Sequence, residues 1–504
     1  MKRIIAMLLC LCTVLGMLSG CRGEDPESYV PTGDALVMED EEVVEQIVDD
    51  SEQEFSLAYF PMFGLDPINC TDYTNRTIFS LVYQSLFVVN RENEVIPMLC
   101  ESYTVSADQR IYEFKLNSKA TFSDGTPLTA EIVVANLIAA KSSPYYSGRM
   151  RHIQAIDASE KGTVIVGMSQ PCGSLPMLLD IPIVLWKENR EYALGTGPYV
   201  LEGTEGNCYL SRRANWWCKS NDLVVTAQRI RLKEAQSIVD VRDSFEFDDV
   251  GVVCTDPGSD RYTEYRCDYE LWDCETGIFV YLGFNMYSSL FQHTAVRQAV
   301  VRGIDRDKLA DRFYRGFAFP SELPVSPNSD YYSQALAQNY AYNETDFLNL
   351  MAASGVQGRS VRLLVNGEDS LRLSVAQEIA NALNACGLIV TVDARATDAY
   401  RAALASGDFD LYLGQTKLSP NMDLTPFFSA SGALSYGIVS NINVYNLALQ
   451  ALENQGNFYN LCQAVMDEAL ICPILFRGYA VYAARGLLTD LSPARDNVFY
   501  YTIQ

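Results

Sequence analysis

The sequence predicts an α/β protein built from two or three lobes, on three observations. At 504 residues with 48% hydrophobic content, the chain can bury a large core and exceeds the usual size of one domain. Strand-like and helix-like stretches alternate between residues 361 and 413: strand 361–365, helix 374–385, strand 388–392, helix 398–405, strand 409–413. That order is the pattern of a sheet with crossover helices. Earlier, the alternating residues 111–116 have the two-residue period of a half-buried strand, and Thr129 followed by Glu131 marks a helix start.

In chain order, Lys2 and Arg3 precede an apolar run over residues 4–18, too short for a typical membrane span and the right length for a signal peptide. It ends in Leu18, Ser19, Gly20 and Cys21, which resembles a bacterial lipobox and makes Cys21 the expected lipidation site. Residues 1–21 are thus expected to be a lipoprotein signal, with the protein held outside the cytoplasmic membrane by lipid on Cys21. Residues 22–54 are acid-rich and nearly free of aromatics, so they are expected to form a flexible tether. The formal net charge is −25, and losing Lys2 and Arg3 with the signal takes it to −27. Such a surface repels nucleic acid and favours a soluble monomer, so nucleic-acid partners are excluded.

Folded structure is expected to begin at residues 55–59, a short alternating strand. After the strand at 111–116, Asp124, Gly125, Thr126 and Pro127 supply a turn ahead of the Thr129 helix start.

Several motifs in fixed order carry a resemblance. They are "LDP" at Leu65–Pro67, "LVYQSL", "VIPMLCESYTVSADQRIYEFKL" and "ATFSDGTPLTAEIVV" within residues 79–140, and the block Gly195, Thr196, Gly197, Pro198, Tyr199. Further on come Arg213, Asn215, Trp216 and Trp217, then "YLGFN" at 281–285, "VRQA" at 296–299 and "GIDRDKL" at 303–309. The set resembles the extracytoplasmic solute-binding proteins of peptide-type ABC importers, the oligopeptide- and dipeptide-binding family (solute-binding family 5). The resemblance implies a periplasmic-binding-protein-like fold (type II, cluster C) of three lobes, with a two-strand hinge and a ligand cleft. Residues 55–80, 187–280 and 483–504 would form a base lobe, residues 81–186 an extra lobe, and residues 281–482 the second ligand-binding lobe. The strands at 281–285 and 473–482 would cross between lobes; Arg297 and Arg306 are expected to form ion pairs that hold helices together, with anion binding as the alternative.

The same resemblance implies a peptide or peptide-like ligand, delivery to ABC permease subunits, no cofactor and closure without catalysis. Family members catch the ligand's amino end with an aspartate after a "Y-D-x-x-x-x-G-W-x-x-D" run. Phe409, Asp410 and Gly414 fit that run, but Gln415 stands where the family has Trp and Leu418 where it has Asp. An apolar residue cannot offset the desolvation of an ammonium group, so the usual amine clamp is expected to be missing. Asp423 takes its place only if a variable loop is re-routed. The implied ligand-binding set is Gly414, Gln415, Thr416, Lys417, Leu418, Asp423, Asn285, Phe476 and Tyr479.

Other chemistry finds little support. Of 14 cysteines, 11 remain beyond Cys21, an odd number without a CxxC pair; Cys208 with Cys218, or Cys267 with Cys274, are the pairings that short turns allow. With two histidines, His152 and His293, and no HExxH, a zinc site is not expected. No GxSxG or SxxK motif points to a nucleophilic hydrolase. The alternatives left open are a non-peptide solute (a sugar, a modified peptide or a metal chelate) and an exported sensor or foldase on the same scaffold.

Overall fold

The computed structural model describes residues 55–220, 223–258, 265–488, 490–495 and 497–503. The expected signal at 1–21, Cys21 and the tether at 22–54 lie outside the described residues.

Within these residues a continuous sheet has the order Ile389–Arg395, Ser360–Asn366, Leu411–Lys417, Tyr269–Phe284, Ile471–Ala484, Val252–Thr255, Phe55–Tyr59, Arg229–Glu234, Tyr209–Arg212, Tyr199–Glu202. The short strand Ala318–Pro320 pairs with Ile471–Ala484 off this path. A separate antiparallel sheet joins Cys100–Val105, Ile111–Leu116, Val164–Met168 and Ile153–Ala158. Ile111–Leu116 alternates exposed and buried along its length, as its two-residue period requires. The helix Ala130–Ala140 that covers this sheet begins at Thr129, whose side chain accepts a hydrogen bond from the Ile132 amide.

Two strands run through the middle of the molecule. Tyr269–Phe284 and Ile471–Ala484 pair antiparallel from Tyr269 opposite Ala484 to Gly283 opposite Ile471, with register shifts at 275/278 and 280/281. One end of the pair, with Cys274, Val481 and Ala483, belongs to a buried core shared with Phe55, Leu57 and Tyr199. The other, from Phe279 to Phe284 and Ile471 to Phe476, belongs to a second core shared with Leu363, Ile379 and Leu411. A third core packs under the four-stranded sheet around Tyr112, Phe114 and Val166. The crossing strands are thus far longer than the stretches 281–285 and 473–482, because their outer residues alternate too weakly to read as strand without the partner ladder.

Other boundaries move for local reasons. The helix that follows the Leu65–Pro67 turn is Tyr73–Val82; it starts at Asp72, which caps the Asn75 amide, and stops where Tyr83 turns extended. The helix expected at 374–385 starts earlier, at Ser370, because Asp369 caps the Arg372 amide. Asp305 caps Arg306–Tyr314 as its position suggests. Arg297 and Arg306 are buried, but neither makes the expected ion pair. Arg297 donates to the carbonyls of Ala469, Phe291, Gln292 and Glu468, and Arg306 to those of Ser321, Pro473, Ile304 and Val301. Each guanidinium is satisfied by backbone carbonyls from several segments instead of by a carboxylate.

The eleven described cysteines are all free thiols, so neither Cys208–Cys218 nor Cys267–Cys274 forms. All but Cys267 are buried, where they pack as small hydrophobes. Among the described residues no helix is long and apolar enough to cross a membrane.

Candidate ligand cleft

The sequence at the crossing point sets the site. Gly277 adopts a left-handed conformation, φ 69°, at the register shift in Tyr269–Phe284. A side chain there would collide with the Arg495 guanidinium, which lies against the glycine and donates to the Leu418 carbonyl. Directly across the ladder, Arg477 is buried on Ile471–Ala484. Its guanidinium pairs with Asp256, just past the base-side strand Val252–Thr255, and donates to Gln415 Oε1 at 2.9 Å on the opposite side. Arg477 therefore ties together the two cores that the strands connect.

Gly414, Gln415, Thr416 and Lys417 continue the strand expected at 409–413. They lie within the strand Leu411–Lys417, paired with Tyr281, Val280, Phe279 and Ile278. The polar run Gln415, Thr416, Lys417 reads as loop in isolation; the hinge strand supplies the ladder that makes it β. Gly414 is buried under the Tyr281 ring, while Lys417 at the strand's end is exposed. Leu418 is buried, and its amide donates to the Gly277 carbonyl at 3.0 Å.

Across from this strand stands a group that sequence reasoning missed. Lys417 Nζ donates to the Tyr145 hydroxyl at 2.5 Å and lies 4.4 Å from that ring's centre. On the same ring the Arg76 guanidinium stacks at 3.5 Å. Arg76 comes from the helix Tyr73–Val82 and also donates to the Tyr146 hydroxyl at 2.5 Å and the Cys70 carbonyl at 3.0 Å. Arg149 pairs with Asp180 in a buried contact. The available signals were a charged residue among the apolar positions of a short helix and the aromatic and basic cluster at residues 145–151.

Asp423 lines the cavity beside Leu418, with its carboxylate already engaged by basic side chains. It is 6% exposed and accepts from Arg151 at 3.0 Å and His152 at 3.1 Å. Burial works against its ionisation, yet the His152, Thr425 and Arg151 contacts outweigh that and hold its carboxyl below the usual range. His152, Asp423 and Thr425 resemble a catalytic triad in composition only. Both Asp423 and Thr425 approach the same ring nitrogen, Nε2, so the imidazole cannot relay a proton between them. Nearby, Asn421 donates to Ser174 at 3.1 Å and the Gly173 amide to the Leu452 carbonyl at 2.9 Å. Segments 145–180 and 416–453 therefore meet, and the cleft is closed.

Three expected ligand residues are placed differently. Phe476 is fully buried and stacks on Phe279 at 5.0 Å, so its ring fills the core instead of the cleft. Asn285 follows Phe284, the last residue of the hinge strand, and donates to the Gly407 and Phe409 carbonyls, which fixes a chain reversal. Tyr479 lies on the hinge strand, packed edge-on against Tyr73 at 4.6 Å; burial raises its phenol above the usual range. Among the described residues no group of three His, Cys, Asp or Glu side chains is placed to hold a metal ion.

The chain resembles known proteins in sequence and fold. It is 25% identical over 405 residues to the glutathione-binding protein GsiB of Escherichia coli (strain K12), covering 74% of each chain. It superposes on HbpA2 of Haemophilus parasuis with a TM-score of 0.75 at 17% identity, covering 90% of this chain and 99% of that one. The oligopeptide-binding protein AppA of Bacillus subtilis, solved with a nonapeptide, gives a TM-score of 0.61 at 18% identity, with coverage of 90% and 99%. Residues 94–435 match the model of bacterial extracellular solute-binding proteins, family 5 Middle, so two-thirds of the chain, including the first hinge strand Tyr269–Phe284 and the Leu411–Lys417 strand, carry that family's pattern. The chain belongs to the bacterial extracellular solute-binding proteins of family 5, the solute-capturing components of ABC importers.

Proposed function

We propose that this protein captures a peptide or peptide-like solute outside the cytoplasmic membrane and hands it to an ABC permease, without catalysis. The observation that carries the reading is the antiparallel pair Tyr269–Phe284 and Ile471–Ala484, continuous through two separate cores. Two strands shared by two bodies form a hinge about which the bodies close on a ligand. The lobes are residues 55–80, 187–280 and 483–504 (base), 81–186 (extra) and 281–482 (second ligand-binding lobe), supported by the separate cores.

The solute class is supported by the glutathione named for GsiB and the nonapeptide bound by AppA. Main-chain hydrogen bonds of the β-augmentation kind give affinity that does not depend on ligand side chains. Gln415, Thr416, Lys417 and Leu418 form one wall of the cleft. The protein acts as a monomer tethered by lipid on Cys21; Cys21→Ala should move it from the membrane to the soluble fraction. Mass spectrometry of the solute that co-purifies with the protein tests the main reading. A peptide or amide-bearing molecule is expected, and a sugar or a metal chelate overturns the peptide assignment.

A further inference from the structure

Two adjoining cavities lie between the segments that meet at the closed cleft. The first is lined by Arg76, Gln84, Tyr146, Asp180, Arg495 and Tyr501 among others, the second by Tyr145, Arg149, Arg151, Lys417, Leu418 and Asp423 among others. The Arg149–Asp180 ion pair and the Arg495 bond to the Leu418 carbonyl run from one to the other. Their walls hold five cations against two carboxylates, a local excess of three positive charges in a chain whose net charge is −25. Arg76, Arg149 and Arg495 are each only 6% exposed. Concentrating guanidinium groups out of water is costly unless negative charge comes with them.

The walls also hold uncharged polar groups. Gln84 is 1% exposed, and its side chain faces the Tyr501 hydroxyl at the cavity wall. Both can donate to a ligand oxygen. Asn497 Oδ1 in the same wall is a buried acceptor without a partner, suited to an amide N–H. The wall thus offers cations and donors for carboxylates together with one acceptor for a peptide group.

On the reading that this cleft holds the solute, we infer that its ligand is an anionic, peptide-like molecule whose carboxylates are received by Arg76, Arg149, Arg495 and Lys417. The acidic surface repels such a solute at distances beyond about 10 Å only weakly, since salt screens exposed charge over that length. Inside the closed cleft screening is slight and the positive excess dominates.

The test is calorimetry on the full mature chain with three sets of tripeptides, matched in length and sorted into net negative, neutral and net positive. Citrate serves as a polyanion without a peptide bond. The anionic set should bind at least about tenfold tighter than the neutral set and weaken as salt is raised. Lys417→Gln, at an exposed position, and Arg495→Gln should each lower anionic affinity about tenfold and neutral-peptide affinity by clearly less, so that the preference for the anionic set shrinks. If Arg495→Gln fails to fold, Lys417→Gln alone decides. Neutral or cationic peptides binding as tightly as anionic ones overturn the inference and leave the importer reading intact. Citrate binding with no peptide binding upholds the charge preference and overturns the peptide reading. No binding by the anionic set or by citrate overturns the inference.

Discussion

Tyr281 lays its ring over Gly414, the residue directly opposite it on the neighbouring strand. Two places along the ladder the arrangement reverses, with Tyr412 covering Gly283, and the two rings meet edge to face at 5.7 Å. Each tyrosine fills the space its glycine leaves empty, so the pair locks the register of Leu411–Lys417 against the hinge strand. A Cβ at position 414 would strike the Tyr281 ring. Gly414→Ala is therefore expected to cost about 2 kcal/mol of stability, seen as a lower Tm, while Thr416→Ala on the same strand costs under about 1 kcal/mol.

Asp423 joins residues 151–152 to the segment after Leu418. Its carboxyl titrates below the ordinary range in the closed state, so its contribution is present above about pH 4 and is lost as pH falls through the lowered value. Asp423→Asn should destabilise the closed form by about 1–2 kcal/mol at neutral pH, a modest figure because Arg151 is 40% exposed and recovers water. The substitution should also flatten the acid limb of a Tm-against-pH profile. An unchanged acid limb would show that other carboxylates control it.

The hinge pair predicts a change of shape. In solution the ligand-free protein should have a larger radius of gyration by small-angle scattering than the protein with a solute of proven affinity, because closure brings segments 145–180 and 416–453 together. Identical curves for the two states would count against hinge closure.

How much of this was legible beforehand follows from what each residue depends on. The strand Phe55–Tyr59, the caps at Thr129 and Asp305 and the alternation in Ile111–Leu116 depend on neighbours in sequence, and they read directly. Gln415 to Lys417 depend on a strand more than a hundred residues earlier, and so fall outside the strand that the sequence predicts at 409–413. Phe476 and Asn285 carry family motifs whose value lies in packing and chain reversal, which a motif does not distinguish from ligand contact. Arg76, Arg149 and Arg495 come from a helix, a loop and a turn near residue 495; only the folded chain brings them to the two neighbouring cavities.

Leu418 is buried, and only its backbone carbonyl meets Arg495, so the position offers no charge to an ammonium group. Matched peptides with free and acetylated amino ends should bind within about threefold of each other, or favour the acetylated form. A tenfold preference for the free amine would place a carboxylate clamp elsewhere in the cleft.

The buried thiols have a consequence for how the protein reaches its working state. Burial raises the Cys100 and Cys462 thiols to about 12 and Cys472 to about 11, so the folded chain holds them protonated and out of reach of oxidants. That protection exists only once the cores have closed. In the unfolded chain the same cysteines are unshielded, and wherever the surroundings oxidise thiols they are free to join in wrong pairs before any core covers them. The safety of this protein's sulfur chemistry is therefore kinetic, a race between collapse and oxidation that the native fold ends.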